Sequence, residues 1–111
     1  MEKKSLTALV RTQLQIAGGA SSGRSAQTVF GGHEHVLRQT LIALNAGFIL
    51  DEHENPGEAT VFVLKGRVVL LSEGDSWEGS AGDLLIVPQA RHSLEALEDS
   101  AVLLTVAKRD R

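Results

Sequence analysis

The sequence predicts a single all-β domain preceded by one short helix. The chain has 111 residues, which is near the common size of one domain. Its 11 glycines and two prolines are spread among short apolar runs, as in proteins with many tight turns between strands. Apolar residues make up 42% of the chain and charged residues 23%, a composition too apolar for a disordered protein and ordinary for a globular one.

The first part of the chain, residues 5–16, has a helical pattern. It begins with Ser5, a residue type that caps the N-terminus of helices. Four apolar residues then recur at three- to four-residue spacing: Leu6, Leu9, Val10 and Leu14. Residues 17–25 are small and polar, and we expect a loop there. We therefore divide the chain into an N-terminal segment with its linker, residues 1–25, and a main domain, residues 26–111.

The main domain contains eight short apolar runs separated by turn residues. We predict strands at eight ranges: 27–30, 36–44, 48–52, 59–64, 67–71, 84–87, 92–96 and 101–107. Regularly spaced short strands are typical of a β-sandwich or barrel. Lys65-Gly66 separates two of these runs, and because glycine takes positive φ without strain, we predict a tight hairpin there. Leu97–Ser100 divides the last two runs in the same way.

Charge and composition exclude several classes of function. The net charge is −3, and the 11 Lys and Arg residues are scattered rather than clustered as nucleic-acid binding requires. The longest apolar runs, such as Leu84–Val87, are too short for a transmembrane helix or a signal peptide. The chain has no cysteine, so any metal must be bound by His, carboxylate and water. We expect a cytoplasmic protein without nucleic-acid or membrane partners.

The four histidines are the main candidates for a functional site. His53 and His92 lie on different predicted strands, and two such residues can meet inside a barrel, where neutral imidazole is a good ligand for Zn, Fe, Mn, Ni or Cu. The alternative is that each is a hydrogen-bonded core or pocket residue. His33 and His35 alternate with Glu34 and would share one face of a strand. They form either a metal-binding pair or a solvated loop edge.

Two stretches of the sequence resemble the paired motifs of the cupin family. Residues 47–66 resemble G-x5-H-x-H-x3-4-E-x6-G, and residues 82–96 resemble G-x5-P-x-G-x2-H-x3-N with one residue fewer before the His. The matching residues are Gly47, His53 and Gly66 in the first motif and Gly82, Pro88 and His92 in the second. The resemblance covers about residues 38–106. It implies a double-stranded β-helix, a small jelly-roll barrel in which the two motifs lie on facing strands around one pocket.

The resemblance also implies a metal site of three His and one Glu, but this sequence departs from that set. Asn55 stands where the second His would be. Counting back from the end of the first motif puts Ala59 at the Glu position and Glu58 one place early. Because a one-residue offset turns a side chain to the opposite face, Glu58 can serve only if a β-bulge re-aims it. Only His53 and His92 match the family's ligands.

Besides a structural or interaction protein with a vestigial pocket, these residues leave two functions open. The first is a small-molecule-binding cupin of unknown ligand, with His53, Asn55 and His92 as polar groups in an apolar pocket. The alternative is a metal-dependent enzyme of the dioxygenase or isomerase type, with Zn, Ni, Fe or Mn held by His53, His92 and, if it turns inward, Glu58. Whether the protein is an enzyme stays open. We also expect a homodimer, because proteins that resemble cupins usually pair through their sheets.

Overall fold

A computed structural model of the protein describes residues 2–53 and 57–108, and of residues 52 and 53 the backbone alone. In this part of the chain there are one helix and nine strands. The helix, α1, spans Leu6–Gly19. The strands are β1 (Arg24–Phe30), β2 (Leu37–Leu44), β3 (Ile49–His53), β4 (Gly57–Lys65), β5 (Arg67–Ser72), β6 (Asp75–Ser80), β7 (Leu84–Val87), β8 (His92–Ala96) and β9 (Ser100–Lys108).

Helix α1 begins where the sequence predicts. The backbone N–H of Ala8 donates a hydrogen bond to Oγ of Ser5 at 3.2 Å. This bond satisfies one of the N–H groups that a helix leaves unpaired at its start, so the predicted Ser cap is confirmed. No helix in the described ranges is long and apolar enough to cross a membrane.

The end of α1 differs from the prediction. The helix runs to Gly19 and β1 begins at Arg24, so the expected loop is present but covers residues 20–23 instead of 17–25. Packing explains the difference. Ala17 is fully buried, and its carbonyl oxygen accepts a hydrogen bond from Nδ2 of Asn45 at 3.1 Å. These tertiary contacts outweigh the poor helix propensity of the glycines in the last turn.

The nine strands form two antiparallel sheets that face each other. One sheet has the order β1-β2-β9-β4-β7 and the other the order β3-β8-β5-β6. The chain passes repeatedly from one sheet to the other, which is the arrangement of a double-stranded β-helix. The predicted all-β jelly-roll barrel with a short N-terminal helix is therefore confirmed.

The hydrophobic core lies between the two sheets. Burial alternates along β4, where Ala59, Val61 and Val63 face the core and the residues between them are more exposed. Full burial of one such Val side chain contributes about 1.5–3 kcal/mol to stability. The core residues from the other strands are Ile42, Val68, Leu70, Val87, Leu94, Val102 and Val106.

The joint at Lys65-Gly66 is a corner between the sheets. β4 belongs to the five-stranded sheet and β5 to the four-stranded one, so the predicted hairpin is wrong. The turn between β8 and β9 is likewise a corner. Gly66 does have the positive φ that the sequence predicts, +84°, and its Cα lies against Asp99 and Ser100 of the second corner. A hairpin and a corner need the same turn residues, which is why the sequence alone does not separate them.

The hairpin of this region joins β5 to β6, a strand that the sequence analysis missed. Ser72 pairs with Asp75, so Glu73 and Gly74 form a two-residue loop. Their φ values are +49° and +83°, as in a type I′ turn. Five of the six residues of β6 are exposed, because it is an edge strand. Its sequence therefore lacks the apolar alternation by which strands are recognised.

Replacing Gly66 with Ala is expected to lower the free energy of unfolding more than the same change at Gly74. The two glycines have nearly the same φ, so both variants carry the cost of about 1 kcal/mol for a side chain in the left-handed region. A Cβ at Gly66 would also meet the backbone of Asp99 and Ser100, whereas a Cβ at Gly74 meets no atom of the described residues within 4 Å. Urea denaturation of both variants measures the difference. Equal losses would contradict the close contact of the two corners.

Candidate functional site

His92 lies at one end of the barrel and is only 3% exposed. It is the first residue of β8, and its Nδ1 is 3.0 Å from the carbonyl oxygen of Ala90. Because a carbonyl oxygen can only accept, Nδ1 carries the hydrogen of this bond. In the neutral ring Nε2 is then the acceptor atom. This is the tautomer in which a histidine presents Nε2 to a metal or to a donor group of a ligand.

The ring of His92 borders a small cavity between the sheets. Among the residues that the structure describes, the others that line it are aliphatic: Ile42, Leu50, Val61, Leu70, Leu94, Val102 and Leu104. The volume of this cavity is about 20 Å³, which is room for roughly one water molecule. A larger ligand that contacts His92 must therefore lie at the end of the barrel, beside the start of β8, rather than between the sheets.

The backbone register places His53 opposite His92. The two residues are paired on adjacent antiparallel strands, β3 and β8. Between this pair and the pair before it, β3 uses three residues and β8 uses two, which is a β-bulge. Without the bulge, Glu52 would stand opposite His92. The side chain of His53, and Asn55 as a whole, lie outside the described residues, so their position in the pocket stays a prediction.

Glu58 and Ala59 lie on opposite faces of the five-stranded sheet. Ala59 is 5% exposed and belongs to the core, so it faces the interior that His92 borders. Glu58 is exposed on the outer face, where it lines a cleft with Ile86 and Thr105. The pairing of β4 with β9 runs in step through both residues, so no bulge re-aims the carboxylate. The Glu58 carboxylate is therefore on the far side of the sheet from His92.

The residues that the structure describes do not supply a complete metal site. Among them no group of three or more His, Cys, Asp or Glu side chains is placed to hold an ion. His33 and His35 are both exposed on the loop between β1 and β2, and the ring of His35 packs edge-on against Phe30 at a centroid distance of 5.1 Å. Neither lines the cavity beside His92.

Sequence reasoning missed Trp77, the only tryptophan of the chain. Residues paired directly across neighbouring strands point to the same face. Trp77 pairs with Leu70, Leu70 with Leu94, and Leu94 with Leu50, so these four residues form a row along the inner face of the four-stranded sheet. Trp77 is at the sheet edge and is 44% exposed. Its fluorescence can therefore report on the barrel interior.

The fold and this site define a small jelly-roll barrel in which a buried imidazole, that of His92, lies at one end. Comparison with protein families agrees: the family described as "Cupin domain" matches residues 40–107, more than half of the chain. The chain therefore belongs to the cupin domain family.

Solved structures with the same fold come from several bacteria. A conserved protein of unknown function from Streptococcus pyogenes has a TM-score of 0.73 at 24% identity, over 83% of this chain and 80% of that one. A cupin 2 conserved barrel domain protein from Salinispora arenicola has a TM-score of 0.72 at 19% identity, over 98% and 90%. KdgF from Halomonas sp. has a TM-score of 0.64 at 25% identity, over 78% and 81%. None of the curated proteins compared matches the sequence.

Proposed function

We propose that this chain is a small-molecule-binding cupin whose ligand is held at the end of the barrel by His92. The observation that carries the proposal is the burial of this imidazole beside a cavity whose other lining residues, among those described, are aliphatic. A single polar group at the edge of an apolar pocket orients a ligand and makes its binding selective. The ligand that fits has an apolar part and a polar group that contacts His92. His53 and Asn55 would supply the further polar contacts.

The alternative, a metal-dependent enzyme, has less support. Metal ions such as Zn, Ni, Fe or Mn would need ligands beyond His53 and His92. Glu58 lies on the outer face of the sheet, and Ala59, which has no ligand atom in its side chain, stands at the inward position. We therefore propose binding without a tightly held metal. The cytoplasmic location stays a prediction.

The His92→Gln variant is expected to bind small-molecule ligands about tenfold more weakly than the native protein. Loss of one hydrogen bond of about 1–1.5 kcal/mol accounts for this factor. Ligands are first found as compounds that raise the melting temperature of the native protein in a library of metabolite-sized molecules, and their affinity is then measured by Trp77 fluorescence. The matched control is His33→Gln, which changes an exposed histidine. Equal affinity of both variants for every ligand found would rule out His92 as the binding residue.

The native protein is expected to bind zinc and nickel weakly, and the double variant Asn55→His with Ala59→Glu to bind them more tightly by orders of magnitude. The variant adds a nitrogen and an inward-facing carboxylate oxygen to the two histidines. Its carboxylate is costly to bury without an ion, so metal should raise its melting temperature more than that of the native protein. Calorimetric titration measures the affinities. Tight binding by the native protein that Glu58→Gln abolishes would overturn the proposal in favour of the metal site.

We further propose that two copies of the chain pair through the outer face of the five-stranded sheet at β4 and β7. Two neighbouring rows of this face carry no charged side chain; they consist of Ile86, Thr60, Thr105 and Gln39, and of Leu84, Phe62 and Leu103, with the fully buried Leu41 ending the second row. Ile86 is 70% exposed and Leu84 is 56% exposed. A twofold contact would cover the same apolar patch in both copies.

The Ile86→Glu variant is expected to be monomeric where the native protein is dimeric, because the contact would have to bury an unpaired charge. Light scattering at tens of micromolar protein measures the oligomeric state. Ile16→Glu is the control, since Ile16 is also an exposed isoleucine, at 51%, but lies on the helix. A monomeric native protein would disprove the dimer, and a dimeric Ile86→Glu variant would place the contact elsewhere.

A further inference from the structure

A second cleft, of about 390 Å³, lies on the outside of the five-stranded sheet between α1 and the end of β4. It is separated from His92 by the sheet itself. Its volume falls in the range of small-molecule sites, roughly 300–1,000 Å³. The residues that line it are Leu6, Thr7, Val10, Arg11 and Leu14 from the helix and Leu64 and Lys65 from the strand.

A β-bulge at the end of β4 directs Lys65 into this cleft. Because side chains alternate along a strand, Lys65 would follow Val61 and Val63 to the core face. The pairing with β9 shifts between Val63 and Lys65, so that Leu64 is an extra residue and Lys65 stands opposite Ala101. This shift of one residue moves Lys65 to the helix side of the sheet. The bulge thus brings a cation to a place that the strand pattern would not give it.

The walls of the cleft are held in place from the other side of the helix. Nε2 of the buried Gln13 donates to Oε1 of Gln27 at 3.0 Å, and Oγ of Ser25 donates to the carbonyl oxygen of Gln13 at 2.7 Å. These bonds tie α1 to β1. None of the residues that line the cleft takes part in these two hydrogen bonds.

The cleft combines an apolar floor with two cations at its rim. Arg11 and Lys65 are exposed, and neither forms an ion pair with any residue that the structure describes. In a chain with 14 acidic and 11 basic residues, two neighbouring cations without an acidic partner form an uncompensated positive rim. The floor consists of four half-buried aliphatic residues: Leu6, Val10, Leu14 and Leu64.

From this combination we infer that the cleft is a binding site for an anionic amphiphile, namely a carboxylate with an unbranched alkyl chain. The guanidinium of Arg11 can donate two parallel hydrogen bonds to the carboxylate, and the ammonium of Lys65 adds a second positive charge. The alkyl chain lies along the aliphatic floor. Each methylene that leaves water there raises the affinity by about fourfold. This site is independent of the ligand proposed for His92.

Calorimetric titration with decanoate, below the concentration at which it forms micelles, tests the inference. We expect one decanoate to bind per chain. Octanoate, which has a shorter alkyl chain, should bind about tenfold more weakly. Decanol and decyltrimethylammonium, which lack the carboxylate, should bind more weakly than decanoate by about tenfold or more. The double variant Arg11→Gln with Lys65→Gln should lose about tenfold or more in decanoate affinity. Arg24→Gln with Arg38→Gln is the matched control, because it removes two exposed cations elsewhere on the same sheet and changes the net charge equally.

Three results would overturn the inference. The first is no binding of decanoate by the native protein, or equal affinity in the two double variants. The second is loss of decanoate binding in His92→Gln with retention in Arg11→Gln/Lys65→Gln, which would put decanoate in the barrel. The third is a native dimer that Leu14→Asp converts to a monomer, which would make the cleft a contact between two copies. If His92 binds no small-molecule ligand, decanoate should still bind the cleft with the same affinity.

Discussion

The barrel depends on the contact between the two corners at which the chain changes sheets. Gly66 lies against Ser100, whose Oγ is 3.1 Å from the carbonyl oxygen of Arg67 and 2.7 Å from that of Glu98. Arg67 also pairs with Glu98 and Glu78, each at 2.8 Å, and hydrogen bonding to Glu98 followed by the charge of Glu78 raises the pKa of its guanidinium. These exposed ion pairs add little stability. The contact of the corners lies where β4 ends and β9 begins, the two strands that pair with each other in the larger sheet.

Two one-residue β-bulges determine which residues stand at the two candidate binding sites. In β3 the bulge brings His53, instead of Glu52, opposite His92 at the end of the barrel. In β4 the bulge moves Lys65 from the core face to the outer face, beside Arg11. Each bulge changes which residue is paired across the strands without changing the strand order, and in β4 it changes the side of the sheet on which Lys65 stands. The same fold therefore has one candidate site inside the barrel and another outside it.

The side chains at the inward positions of the barrel are the reason why we propose that this cupin binds a ligand without a tightly held metal. Ala59 occupies the inward position where the family's motif has a carboxylate, and Glu58 is on the other side of the sheet. His92 remains as a buried polar group whose tautomer is set by the carbonyl of Ala90. An imidazole acceptor next to aliphatic residues suits recognition of a donor group better than coordination of an ion, which needs several converging ligands.

The sequence by itself determined the barrel class, the Ser5 cap and the inward position of Ala59. The class and the position of Ala59 follow from motif spacing and from the alternation of side chains along a strand, and the cap follows from the residue type at the start of the helix. These signals are local, so they stay the same whichever strands pair with one another. Only the tertiary structure decided that Gly66 is a corner and that Trp77 belongs to the inner row. It also decided that Lys65 faces the helix. The physical reason is that sheet membership and bulges depend on which distant strand supplies the hydrogen bonds. That choice minimises the free energy of the whole sheet and is not encoded in any one segment.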